Sequence, residues 1–194
     1  MRARKRKELA IVLAAAGGGV ALAVGAVGYF AFGTTKHAST YKLVLPSQFN
    51  GLIPHNGRDD PSTPSGTTAV PNGGTSVHAT YYVAFGEPAP KLIVSGGFGG
   101  AFGSKDWLKT IWQGLGDSVT LSQKTDEDPG PLGGAMQCAL MDEGKGVYTP
   151  ICVWADNSAS VTMLDVGRSS AGTVDLSPSA ATARALRTQM EVKE

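Results

Sequence analysis

Ala135-Met136-Gln137-Cys138-Ala139-Leu140-Met141-Asp142, then Glu143-Gly144-Lys145-Gly146, then Val147-Tyr148-Thr149-Pro150-Ile151-Cys152-Val153-Trp154-Ala155-Asp156, is the stretch whose reading decides the fold. Two apolar runs joined by a short turn containing two glycines predict an antiparallel hairpin. A third run at 159–166, set off by Asn157-Ser158, extends it to a meander. Cys138 and Cys152 are the chain's two cysteines, and the midpoint between them is Lys145, the middle of the predicted turn. Opposed residues of an antiparallel pair keep a constant sum of positions, so the two thiols face each other at cross-strand distance. A structural disulfide is therefore expected, closing a loop whose chain-entropy contribution is about 3 kcal/mol.

Working outward, Ser177 and Pro178 predict the N-cap and first turn of a closing helix, with Ala183, Leu186 and Met190 on the face that packs across the meander and Arg184, Arg187 and Glu191 elsewhere. Upstream, residues 41–45, 77–85, 91–95 and 119–125 read as strands. The glycines of 96–103 read as a turn or a close backbone approach, followed by a helix capped by Ser104. Trp107, Leu108, Ile111, Trp112 and Leu115 form its apolar stripe, and Gly114 and Gly116 close it. Residues 50–76 hold Pro54, Pro61, Pro64 and Pro71 among small polar residues and read as a disordered insertion. The expected fold class is α+β: an antiparallel β-sheet with the C-terminal helix, and any second helix, packed on a single face.

Residues 9–32 carry no charge. As a helix rising about 1.5 Å per residue they cross a hydrocarbon layer of roughly 30 Å. Arg2, Arg4, Lys5, Arg6 and Lys7 in front of this run place the N-terminus in the cytoplasm. The expected organisation is a cytoplasmic stub at 1–8, a single transmembrane helix at 9–32, a juxtamembrane linker at 33–40 and an extracytoplasmic domain at 41–194. The run is too long for the core of a cleaved secretory signal, and Tyr29, Phe30 and Phe32 stand where a cleavage site needs small residues, which favours a retained signal anchor. Gly17, Ala21 and Gly25 form a small-residue row through which two such helices would meet as a homo-oligomer. Residues 33–194 hold 12 basic against 15 acidic side chains. A mildly acidic body without a basic stripe argues against a nucleic-acid partner.

No catalytic constellation emerges. Of the histidines, His37 follows the span, His55 lies in the insertion and His78 opens a strand, so a Ser-His-Asp or metal site would rest on His78. Asp126, Asp128 and Gly130 resemble the opening of a calcium loop, but Gln137 stands where its bidentate Glu belongs. Ser95, Ser104 and Ser118 sit in no nucleophile elbow. No metal or cofactor is expected.

The segment Gly130-Pro131-Leu132-Gly133-Gly134-Ala135-Met136-Gln137-Cys138, followed by Cys152-Val153-Trp154-Ala155-Asp156, resembles a group of uncharacterised actinobacterial proteins abundant in streptomycetes. In these, a GPLGG-x-x-x-C segment precedes a C-x-W-A-D segment and a closing helix behind an N-terminal anchor. The similarity covers roughly residues 118–194 and implies a location outside the membrane and a disulfide, not a mechanism. Trp154 and Asp156 share a strand face with Cys152. They read either as a recognition surface or as a Trp covering the disulfide beside an Asp that caps the Asn157 turn. The functional expectation is a membrane-anchored, non-catalytic interaction or sensing module of the cell envelope. The alternative is an envelope hydrolase or ligand-binding enzyme using Asp156 or Glu87, although most glycoside hydrolysis needs two carboxylates.

Overall fold

The computed structural model describes residues 41–54, 66–70, 74–84, 86–99 and 105–194. The stub, the apolar run 9–32 with Gly17, Ala21 and Gly25, the linker 33–40 and Ser104 lie outside the described residues. Among those described, no helix is long and apolar enough to cross a membrane.

In chain order the elements are β1 (Tyr41–Leu43), β2 (Ile53–Pro54), β3 (Gly66–Val70), β4 (Gly74–Tyr82), β5 (Leu92–Phe98), α1 (Lys105–Gly116), β6 (Thr120–Glu127), β7 (Ala135–Asp142), β8 (Val147–Ala155), β9 (Ala159–Leu164), β10 (Ser170–Ala171), α2 (Ser177–Met190) and β11 (Glu191–Lys193). Nine strands form one antiparallel sheet in the order β2-β4-β5-β9-β8-β7-β6. β3 lies on the same side of β4 as β2, and β10 on the same side of β8 as β9. β1 and β11 make a separate two-stranded ribbon.

The meander stands as expected: β7 pairs with β8 and β8 with β9, both antiparallel, and Cys138 opposes Cys152. The two are joined by a disulfide with a Cα–Cα separation of 4.1 Å. The β7–β8 turn closes because Gly144, Lys145 and Gly146 all take positive φ and the Asp142 carboxylate accepts the Gly144 N–H at 2.7 Å. Pro150 lies where the ladder of β8 passes from β9 to β10, so its missing N–H falls at a gap in the pairing.

Three expectations are corrected. The helices do not share a face. Leu108, Trp112 and Leu115 of α1 pack with Ala139, Ile151 and Val153, whereas Ala180, Ala183, Leu186 and Met190 of α2 pack with Cys138, Leu140, Cys152 and Trp154 on the opposite side. Alternate residues of β7 and β8 are thus buried on both faces, because α1 carries the chain from β5 across the sheet to the edge strand β6. Second, the 50–76 segment is not structureless throughout, since β2 and β3 pair with β4; residues 55–65 and 71–73 lie outside the described residues. Third, Gly96 and Gly97 belong to β5 rather than to a turn, and of the two readings the close backbone approach holds at Gly96. A Cβ at Gly96 would fall against the Ser160 carbonyl and lie 2.7 Å from Val161 Cγ2, so glycine permits the close approach of β5 and β9.

Candidate functional site

α2 presents Arg187 in its last turn and ends one residue before Glu191. The two side chains are four residues apart and meet: Arg187 Nε donates to Glu191 Oε1 at 2.8 Å and its Nη2 to Oε2 at 3.2 Å. Nη2 also donates to Asp156 Oδ2 at 2.7 Å. Nη1 donates to the carbonyls of Pro129 and Gly133. Glu191 Oε1 accepts the indole N–H of Trp154 at 2.9 Å. Asp156 Oδ1 meanwhile accepts the backbone N–H groups of Ser158 and Ala159 at 2.6 and 2.9 Å and caps the β8–β9 turn.

The two motif segments therefore converge on the closing helix. The GPLGG turn supplies carbonyl acceptors, the C-x-W-A-D strand supplies Trp154 and Asp156, and Arg187 holds both. Its guanidinium is almost completely buried, as is the Glu191 carboxylate. One cation shared by two carboxylates leaves an uncompensated negative charge in the interior when both are ionised. Burial accordingly pushes Glu191 up to about 7, reinforced by Asp156 and opposed by Arg187.

This geometry overturns the surface reading of Trp154. Its side chain is fully buried in the core that holds the disulfide, and its N–H is spent on Glu191. Asp156 fits the turn-capping reading, and both its oxygens are engaged. Arg187, the centre of the cluster, and Glu191 read from helical spacing as lying off the packed face, yet both are buried; their i,i+4 spacing was the available signal.

The remaining candidates are dispersed. His78 Nδ1 lies 3.4 Å from Ser95 Oγ and Nε2 lies 3.5 Å from Thr80 Oγ1. Burial lowers the His78 pKa, favouring the neutral ring. Neither Ser95 nor Thr80 is the acid a triad would need on the ring. Asp126 accepts from Gln137 Nε2 at 2.6 Å across β6–β7, and Asp128 accepts the Gly130 N–H at 2.9 Å, so the calcium-like residues serve strand pairing and a turn. Among the described residues no group of acidic, His and Cys side chains is arranged to hold a metal. Glu87 is exposed in the β4–β5 connection, and Ser118 Oγ bonds back to the Gly114 carbonyl.

Among the described residues, two of the surface grooves lie near these side chains. One, about 660 Å³, runs between α1 and the β6–β7 edge and includes Trp112, Gln113, Lys124, Asp126 and Gln137. The other, about 330 Å³, includes Phe49, Leu52, Lys91, Asp165 and Arg168. Asp165 Oδ2 accepts from Ser179 Oγ at 2.8 Å and pairs with Arg168 at 3.1 Å. This carboxylate joins the end of β9 to α2.

Together these features define a class, an antiparallel α+β domain helix-covered on both faces and stapled by a cross-strand disulfide. No protein family, curated protein or solved structure matches the chain in comparison.

Proposed function

We propose that the chain is a single-pass membrane protein whose 41–194 region is a non-catalytic binding or sensing module outside the cytoplasmic membrane. The observation that carries this reading is the buried Cys138–Cys152 bridge, since disulfides persist in oxidising compartments. The uncharged run 9–32 behind five basic residues supports the anchor and its orientation. The resemblance to anchored actinobacterial proteins points the same way. The hydrolase alternative loses support because one of its two candidate carboxylates, Asp156, is committed to Arg187 and to the β8–β9 turn, and the other, Glu87, stands exposed in the β4–β5 connection.

The test is protease shaving of intact cells expressing the chain with a C-terminal epitope, together with thiol trapping and impermeant crosslinking. The expected outcome is a membrane-fraction protein that loses its epitope to external protease, carries no free thiol, and crosslinks to a discrete envelope component. An epitope protected until lysis, or two free thiols in freshly trapped cells, would refute the proposal.

A further inference from the structure

Three large apolar side chains are exposed among the described residues: Val44 at 43%, Val83 at 51% and Val192 at 41%. Two of them stand together. Lys42 opposes Val192 in the β1–β11 register, and the ladder continues with the Val44 N–H donating to the Met190 carbonyl at 2.8 Å. Side chains alternate along a strand, so Lys42 and Val44 share a face, and Val192 opposite Lys42 shares it too. On that ribbon Val44 and Val192 are diagonal neighbours, about 7–8 Å apart. The other face is turned into the protein, with Leu43 and Glu191 buried. Downstream of the ribbon the chain is held to the sheet where the Tyr81 hydroxyl donates to the Pro46 carbonyl at 3.0 Å.

The chain outside the structure ends at this ribbon. If residues 9–32 span the bilayer, residues 33–40 join the span to Tyr41, and eight residues reach at most about 29 Å when fully extended. β1 is therefore the part of the domain bound closest to the membrane by the chain itself. Two valines form too small a patch to recruit a free protein to lipid. A short tether changes this, because it holds the patch at an effective concentration of about millimolar beside the surface. We propose that the outer face of the β1–β11 ribbon rests on the lipid surface, with Val44 and Val192 entering the headgroup boundary and the Lys42 ammonium reaching the phosphates. This inference rests on the anchor reading of residues 9–32.

The experiment uses the full chain in phosphatidylcholine–phosphatidylglycerol vesicles, bearing one environment-sensitive thiol label at Val44→Cys, Val192→Cys or, as control, Ala185→Cys on the exposed side of α2. The native cysteines are bridged and do not react. With nitroxide-bearing phospholipid present, labels at 44 and 192 should be quenched about twofold or more relative to nitroxide-free vesicles, and the label at 185 should be unaffected. A chain that floats with the vesicles after an alkaline wash but shows equal quenching at all three positions would overturn the lipid contact and leave the anchor intact. Quenching at 44 and 192 that follows label density rather than nitroxide would assign the face to a second copy of the chain and overturn it as well. Failure to float would remove the anchor reading, and the lipid contact with it.

Discussion

Arg187 carries one positive charge between the buried Glu191 and the partly buried Asp156, and the cost of that arrangement decides what its removal does. Losing the cation leaves Asp156 and Glu191 facing each other without compensation, which for a buried pair costs about 3–5 kcal/mol. We predict that Arg187→Met lowers the unfolding free energy by that amount in urea titration and that adding Glu191→Gln restores part of it. Full stability in the single variant would show that the cluster is solvated rather than buried. A second prediction concerns pH. Glu191 has an ordinary value of 4.5 and is pushed up to about 7 in the folded protein, so between these values the folded state holds a proton that the unfolded chain has released. This contribution is complete below about 4.5 and is lost as pH rises through about 7, a total of about 3 kcal/mol. His78, whose pKa burial lowers, acts in the opposite sense, and Asp165, raised by burial, acts in the same sense. The difference between wild type and Glu191→Gln isolates the effect. Wild type should lose about 3 kcal/mol relative to the variant between pH 4.5 and pH 8, and a pH-independent difference would refute the assignment.

At the scale of elements, β5 and β9 approach so closely at Gly96 that a methyl group there meets backbone, which cannot swing aside as a flexible side chain would. We predict that Gly96→Ala costs more than about 2 kcal/mol in chemical denaturation, whereas Gly116→Ala, open to solvent at the end of α1, costs less than about 0.5 kcal/mol. Equal effects would place the strain elsewhere. The same glycine shows how far local pattern reaches. The β7–β8–β9 meander was legible because its turns are marked by glycine and Asn-Ser and its register by two cysteines. The glycines of 96–97 left a turn and a close backbone approach both open, because the contact that decides between them is made with β9, more than sixty positions away in the chain. The unbroken apolar run 151–155 already carried the signature of a strand covered on both sides, which the single-face expectation passed over. The central part of Arg187 was hidden for a related reason: its partners at 129, 133 and 156 are brought to it only by the tertiary fold.

For the whole molecule, helices on both sides of one sheet leave the disulfide in the middle of a filled core, with Trp154 and α2 above it. The bridge joins two strands that are already paired along their length, from Ala135 opposite Ala155 to Asp142 opposite Tyr148. The register therefore does not depend on it, and its effect falls mainly on the unfolded chain, whose freedom it restricts by closing a loop of sequence separation 14. That restriction stabilises by about 3 kcal/mol, against a total of about 5–15 kcal/mol for an ordinary domain. We predict that the double variant Cys138→Ala/Cys152→Ala keeps the wild-type circular dichroism spectrum but melts about 6–12 °C lower, since each kcal/mol shifts a domain of this size by about 2–4 °C. An unchanged melting temperature would mean that residual structure in the unfolded chain already holds the hairpin. A lost spectrum would mean that the bridge sets the register rather than securing it. Between those limits, the domain is a fold that its core specifies and that the disulfide reinforces.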